Sequence, residues 1–496
     1  MQVAQKKKID FTEGNVFFKL LRFVLPIIAT NLLQTLYNAA DMVIVSLSHE
    51  GRDAMGAIGF TGSLIGLILN VLIGFSVGAN VVVAREIGAK NKERVQNAVH
   101  TAIIMAILFG LGGLAFGLAF SRLILSAMGA IGPLLERSTR YCYIYALGVP
   151  FLALANYTIA IFRAKGDSKT PLVVLSCAGL LNVGLNLFFV LAMGMSVEGV
   201  ALATSIANLL SCVVLLLKLR HDNDDTKFSF RKLKIDKQAF KDIVLNGVPA
   251  GIQGALFSLS NMLIQSSIAK VNYSSIPAGS EEIPVISGST AAGNLEGFAY
   301  TAMNGVYQGA ITITSQNIGA KKVKRVKRVL YSCILAVTAV GVITGGIIYL
   351  LREPLLGLYG VRENVEDPMA TLAFHTAITR FHFILLPYFL FGIMDVCAGV
   401  LRGMGKAIVS TAISLVGICV LRVIWLTAVF PIWPTLEVVF VSYPASWVVT
   451  EIVMYVMIQV LLRRMIKKQE AEASKEKTEE AIQENIETEI EEKTTV

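Results

Sequence analysis

Charge is what this chain is short of. Of 496 residues, 16% are Asp, Glu, Lys or Arg while 54% are hydrophobic, and the mean hydropathy is +0.64. An ordinary soluble domain is about one-quarter charged, so a water-exposed globular enzyme of this length is excluded. Cysteine offers nothing to a secreted or metal-bound fold either. Cys142, Cys177, Cys212, Cys333, Cys397 and Cys419 are scattered through apolar stretches with no Cys-x-x-Cys pair. A disulfide framework or a zinc site would gather them in loops; they are expected to be core fillers, and no metal centre is expected. No removable leader is expected either: residues 2–10 are polar, with Lys6, Lys7 and Lys8, and the apolar run that follows is too long and lacks a cleavage site.

What is present is apolar length. A bilayer-spanning helix needs about 20 apolar residues, and runs between charged or Gly/Pro breaks predict twelve spans, the first over 17–45, the eighth over 295–318 and the last over 438–462. No connection is long enough for a catalytic domain. Basic residues fill every second connection: Lys90, Lys92 and Arg94; Arg163, Lys165 and Lys169; the stretch 218–241; 321–328; Arg402 and Lys406; 463–468. By the positive-inside rule the protein is a multi-pass protein of the cell membrane with both termini cytoplasmic. Acidic residues crowd 470–496, expected to be a solvated, partly helical or disordered extension. The net charge of +9 is therefore a topological signal in the loops; the bilayer is the expected partner and nucleic acid is not.

The chain repeats itself. Gly78-Ala79 and Ala84-Arg85-Glu86-Ile87-Gly88-Ala89-Lys90 return as Gly309-Ala310 and Ser315-Gln316-Asn317-Ile318-Gly319-Ala320-Lys321; Pro26 returns as Pro249, and Arg163-Ala164-Lys165-Gly166 as Arg402-Gly403-Met404-Gly405. The second half is the longer, with its additions expected in the connections 272–294 and 352–368. Six spans per repeat is an even number, so the halves are expected as parallel repeats about an axis along the membrane normal, with a central cavity. The expected fold is an all-α polytopic membrane protein with twelve transmembrane helices in two parallel six-helix lobes. Its parts are a cytoplasmic N-terminus (1–16), an N-terminal lobe (17–217), a basic linker (218–239), a C-terminal lobe (240–462) and a charged tail (463–496).

Over 17–462 the sequence resembles the multidrug and toxic compound extrusion (MATE) family of secondary transporters. The resemblance rests on Pro26, Tyr37 and Asp41 in the first span, the paired Ile-Gly-Ala-Lys loops, the Arg163 to Pro171 loop (Arg-x-x-Gly-Asp-x-x-x-Pro), and Asn182 with Gly199 to Thr204. It implies two six-helix lobes and export driven by a proton or sodium gradient, with no cofactor. The branch it resembles more carries its cation site in the N-terminal lobe. The other branch has a glutamate in the seventh span about two turns past the proline, where this chain has Phe257.

Asp41 is the sharpest candidate for the coupling site. An ionised carboxylate in hydrocarbon costs about 2.5–3.5 kcal/mol on insertion scales, and no Lys or Arg lies within a turn or two of it. It must take up a proton, hold a cation, or sit near enough to its helix end to reach water. Tyr37, four residues earlier on the same face, could donate a hydrogen bond to it or be an interfacial aromatic. Asn182 and Asn186 share a face of the fifth span, and Thr204 lies in the sixth; in the resembling branch these positions line the cation site. That branch commonly has aspartate where this chain has Asn186. Losing a carboxylate weakens a sodium cage, which favours protons. Asn156 and Gln34 are expected to line the substrate cavity. Pro26 removes a backbone donor and could kink the first helix as a gate, although inert kinks are common in membranes.

In the second half, Arg422 and Glu451 are expected to pair or else to line the substrate route, and His375 and His382 to pack or sit at the interface. Arg380 and Asp395 are further intramembrane charges. Gly74-Phe75-Ser76-Val77-Gly78 matches Gly-x-Ser-x-Gly but lies within an apolar helix rather than at a strand-to-helix elbow. Gly403-Met404-Gly405-Lys406-Ala407 lacks the first glycine and the Ser or Thr of a phosphate loop. The sequence therefore predicts a monomeric, non-enzymatic exporter of small amphipathic, cationic compounds, coupled to H+ or Na+. The alternative is a flippase for lipid-linked saccharides, whose anionic cargo would call for basic cavity residues. The N-terminal lobe offers Asp41 and no deep arginine, which favours a cation.

Overall fold

A computed structural model describes residues 9–269, 271, 284–364 and 366–494. Part of the 272–294 connection, and the lysines at 6–8, lie outside the described residues. The N-terminal lobe is built from α1 (Val16–Ser46), α2 (Gly51–Gly88), α3 (Lys92–Ala127), α4 (Gly132–Ala164), α5 (Lys169–Leu187) and α6 (Val197–Arg220). The C-terminal lobe has α7 (Lys237–Ala269), α8 (Pro284–Gly319), α9 (Val323–Leu350) and a short α10 (Arg352–Leu358). Then come α11 (Pro368–Arg380) with α12 (Tyr388–Gly403), α13 (Ala407–Ser414) with α14 (Leu421–Ala428), and α15 (Leu436–Thr494). The pairs α11–α12 and α13–α14 are single rods interrupted by π-helical stretches, so the long rods number twelve, six per lobe. The first pair bends by 42° at Pro387, whose missing N–H breaks the ladder.

Among the described residues nine helices are long and apolar enough to span a bilayer, or ten with the bent pair. α7 and α8 fall short because they are polar on faces that protein covers. In α8, Ser289, Glu296, Thr312, Ser315, Gln316 and Asn317 are all buried. The sequence places the start of this span at 295, but the helix begins at Pro284. Its first turns are rich in Gly, Ser and Ala and so weakly hydrophobic; they pack on α11, where a Cβ on Gly288 would lie 1.9 Å from the Ala373 carbonyl oxygen. Nor is the tail irregular: α15 runs unbroken to Thr494. Four cysteines are buried, Cys419 is half-buried, and Cys177, expected in the core, is exposed. Its helix α5 turns Val173, Leu180 and Leu181 outward as well, as a lipid-facing surface requires.

The lobes meet at the end of the molecule that carries the basic loops. There the duplicated motifs interlock: a Cβ on Gly88 would lie 2.0 Å from the Gln316 carbonyl oxygen, and one on Gly319 would lie 1.8 Å from that of Arg85. Since Arg85 and Gln316 are themselves equivalent in the repeat, the contact is self-complementary in the manner of a two-fold dimer. Both loops leave their helix through a lysine with φ +55°, Lys90 and Lys321. Further along, Gly74 and Gly78 of α2 press on the α7 backbone at Gly251 and Gly247. Toward the opposite end one face of the same helix is open, since a Cβ on Gly56, Gly59, Gly62 or Gly66 would meet nothing within 4 Å, while Ala54, Ala57 and Thr61 on its other face stay buried.

A short N-terminal strap crosses the closed end. Phe11 is 1% exposed and sets its ring edge-on to Phe23, centroids 5.0 Å apart. Its carbonyl oxygen accepts from Asn317 Nδ2 (3.3 Å) and Arg325 Nε (3.2 Å), while Thr12 O accepts from Lys322 Nζ (3.0 Å). On the other lobe Gly166, at φ +80°, comes so close to Ile9 and Phe11 that a Cβ would lie 2.6 Å from the Ile9 carbonyl oxygen. The strap thus touches both lobes at once.

Candidate functional site

α1, α5 and α6 bring four of the expected residues together. Asn182 and Asn186 project from one face of α5 four residues apart, and the helix passes into a π-helical turn at Phe188 just beyond them, a distortion frequent at functional sites. Asn186 Nδ2 donates to Asp41 Oδ1 at 2.5 Å. The Asn182 amide fits with its nitrogen toward the same oxygen, 2.9 Å away, and its own oxygen 3.3 Å from the Thr204 N–H; the reverse orientation would set amide oxygen against carboxylate. Thr204 Oγ1 turns back onto Val200 O at 3.0 Å. Asn186 is fully buried, and its Oδ1 has no hydrogen-bond partner among the described residues.

Asp41 is therefore held by neutral amide donors, with no basic side chain paired to it among the described residues. A carboxylate so placed can accept a proton. The oxygens of Asn186 and Thr204 beside it are ligands of the kind a hard monovalent cation takes, one carboxylate short of a charged cage. Tyr37 is not the orienting donor. Its hydroxyl donates to Ser176 O at 3.3 Å, and its ring fills the space over Gly179, where a Cβ would lie 1.8 Å from ring carbon Cε2. Asn182 and Asn186 orient the carboxylate instead.

Asp41, Asn182 and Thr204 open onto a cavity of about 440 Å³ between the N-terminal lobe and α8, which Gln34, Tyr37 and Asn156 also line. Pro26 lies lower on α1, in the stretch that packs against α8: Ile28 meets Gly305, and Val24 meets Gly309. The cavity also contains an arginine. Arg163, in the last turn of α4, lines it and donates from Nη1 to Gln308 Oε1 on α8. This corrects the expectation that the N-terminal lobe offers no deep arginine: the Arg163 to Lys169 run looks like a loop, but the helix carries Arg163 inside, and it is Lys165 that reaches the loop acids Asp222 and Asp224.

The C-terminal lobe neutralises its charges differently from expectation. Arg422 does not pair with Glu451; its Nε donates to Ser446 Oγ at 3.0 Å and its guanidinium lies 4.2 Å from the Tyr443 ring centroid. The buried ion pair is Arg380 with Glu296, two-pronged at 3.0 and 2.8 Å, with Ser289 Oγ accepting a third bond at 2.9 Å. Glu296 escapes notice in the sequence because it sits where the span seems only to begin. Arg402, the repeat partner of Arg163, donates to Tyr307 Oη and to Gln253 Oε1. His382 Nε2 bonds the Tyr349 hydroxyl at 2.8 Å and His375 faces Glu363 at 3.8 Å, neither as part of a ligand cluster.

Comparison with known proteins gives a consistent picture. A family model described as MatE matches residues 26–188 and 249–426. "Probable multidrug resistance protein YoeA" of Bacillus subtilis (strain 168) is 28% identical over 466 residues, covering 91% of this chain and 95% of its own length. "Multidrug export protein MepA" of Staphylococcus aureus (strain NCTC 8325 / PS 47) is 22% identical over 361 residues, covering 73% and 77%. Among solved structures, one described as "Outward-facing conformation of a multidrug resistance MATE family transporter of the MOP superfamily" superposes with a TM-score of 0.82 at 19% identity, over 94% of this chain and 100% of that one.

Proposed function

The chain belongs to the MatE family, and from that membership we propose that it exports amphipathic, cationic organic compounds from the cell, exchanging each for a proton taken up at Asp41. Members of the family are transporters, not enzymes, and the names of its relatives support multidrug export as the task. The observation that carries the coupling assignment is a carboxylate held only by neutral amides at the wall of a polar cavity. One negative charge there serves either a proton or a cationic cargo, and the two compete for it. Sodium is the second candidate ion, but with Asn186 in place of a second carboxylate the site offers it less charge.

The basic end is assigned to the cytoplasm, with both termini, on the charge of its loops. On that assignment the lobes are closed toward the cytoplasm and parted toward the outside, the arrangement from which cargo leaves and the coupling ion enters. Rocking of the parallel lobes then exposes the same residues to the inside. The flippase reading is not favoured: Arg163, which lines the cavity, is engaged by Gln308 at the closed end, while among the described residues no basic side chain pairs with Asp41 at the other.

The test is transport of ethidium in proteoliposomes under imposed proton or sodium gradients, separately. Proton-driven uptake that Asp41→Asn abolishes, in a protein that inserts normally, is the expected result. Full-rate gradient-driven transport by that variant would remove Asp41 from the mechanism.

A further inference from the structure

α8 carries a row of polar side chains at Tyr300, Asn304 and Gln308, four residues apart and so stacked on one face, all lining the cavity. They are bonded head to tail. Arg163 Nη1 donates to Gln308 Oε1, Gln308 Nε2 donates to Asn304 Oδ1 at 2.9 Å, and Asn304 Nδ2 donates to the Tyr300 hydroxyl oxygen at 3.3 Å. The direction is imposed from one end, because a guanidinium can only donate; with Gln308 Oε1 committed to Arg163, both amides must point their oxygens toward it. Such a chain strengthens each of its bonds cooperatively. Its first link crosses from the N-terminal lobe to the C-terminal lobe at the closed end, beside Gln316 Nε2 to Ala164 O (2.7 Å) and Thr312 Oγ1 to Asn80 Oδ1 (3.1 Å).

We propose that Tyr300, Asn304 and Gln308 sense cargo and hold Arg163 until it arrives, and that a cargo carrying N–H donors is what releases the grip. An N–H of the cargo that donates to Asn304 Oδ1 on the lone pair facing Gln308 displaces Gln308 Nε2 from it. Gln308 then turns its amide, and Gln308 Oε1 leaves Arg163. The link between lobes opens only when the cavity is filled, which is the differential contact a ligand needs in order to shift a two-state equilibrium. The repeat partner shows the contrast. Arg402 grips Tyr307, the neighbour of Gln308, but within its own lobe, so that bond survives rocking and Arg163's does not. This rests on the export reading for the identity of the cargo, and it narrows that cargo: cations with N–H groups trigger the change, and cations without them bind and do not.

A spatial chain is not by itself evidence of coupling, so the test measures coupling directly, by hydrogen exchange of the interlocked segments 85–91 and 316–322 in nanodiscs. Ethidium, which bears amino groups, is expected to raise their exchange at least threefold, and tetraphenylphosphonium, which bears none, to leave it unchanged. Gln308→Leu is expected to raise exchange without any ligand. Gln308→Glu, which gives Arg163 an ion pair, is expected to suppress the ethidium response while ethidium fluorescence still reports binding. Asn304→Leu should abolish the response with Arg163 still held. If Gln308→Leu exchanges like the wild type in the absence of ligand, the ladder does not hold the closed end; if Asn304→Leu responds to ethidium like the wild type, Asn304 does not sense the cargo. The ligand-free arm judges the grip on Arg163 whether or not the export reading stands.

Discussion

Adding one methyl group at Gly88 or Gly319 should prise the lobes apart at the basic end. The two new Cβ atoms would stand 2.0 Å from Gln316 O and 1.8 Å from Arg85 O, whereas carbon and oxygen settle at about 3.3–3.6 Å even in a favourable C–H···O contact. The obstructing atoms are backbone carbonyls near the ends of long helices, so no side chain can swing away, and the helices themselves must separate by about 1.5 Å. Overpacking of this sort costs about 1–3 kcal/mol, which multiplies the population open at this end by roughly 5 to 150. Because both glycines are relieved by the same separation, Gly88→Ala with Gly319→Ala should cost less than the two costs added. Gly66→Ala is the control: its Cβ meets nothing, and in a helix it should be neutral or stabilising by about 0.5–1 kcal/mol. Pulsed electron resonance between spin labels on the two basic-end loops, in nanodiscs without substrate, reads the population. A wild-type distance distribution in both Gly88→Ala and Gly319→Ala would refute the idea that backbone contact at these glycines closes the molecule.

Removing one partner of a buried, doubly bonded ion pair leaves the other charge stranded, at about 3–5 kcal/mol; Glu296→Gln should therefore lower the thermal unfolding midpoint in detergent by more than Glu451→Gln, and equal midpoints would show that the Arg380 pair is not structural. Tyr37→Phe loses only a hydroxyl bonded to Ser176 O, so proton-driven transport should stay within about twofold; loss of coupling would return Tyr37 to the proton path. For the strap, partial burial pushes the Asp10 carboxyl up, but hydrogen bonds from the Thr12 N–H and hydroxyl and the charge of Lys19 outweigh it and hold the group below its ordinary value. Its contribution is therefore full above the unfolded carboxylate range near pH 4 and is lost as pH falls through the lowered folded value. Amide exchange at residues 11–14 should rise on acidification in that window, and Asp10→Asn should remove the dependence.

The architecture was legible because its signals are long and repeated. Apolar runs located the rods, alternate basic loops ordered them, and the second Ile-Gly-Ala-Lys motif announced a duplication that proves to be a physical contact. Legibility failed where protein rather than lipid covers a helix: the start of α8 is Gly- and Ser-rich because it packs on α11, and hydropathy cannot tell such a helix from a loop. In the site, Asp41, Asn182, Asn186 and Thr204 could be named because each follows a helical spacing or a motif and the family resemblance implied a cation site at those positions. Which donor reaches Asp41 depends on how α1 and α5 rotate against each other, and no one-dimensional pattern records that. The pairing of Arg380 with Glu296 was hidden for the same reason. Tyr300, Asn304 and Gln308 went unread, although their spacing of four is the signal that could have found them.

The strap has a consequence in the order of synthesis. Phe11 precedes one of its main partners, Asn317, by 306 residues, a delay of roughly 15–60 s at translation rates of 5–20 residues per second. Throughout that interval the first helix is in place while half of the socket for Phe11 does not yet exist. The strap is therefore among the last contacts to form although its residues are among the first made. Its docking registers that the second lobe has been completed and has found the first.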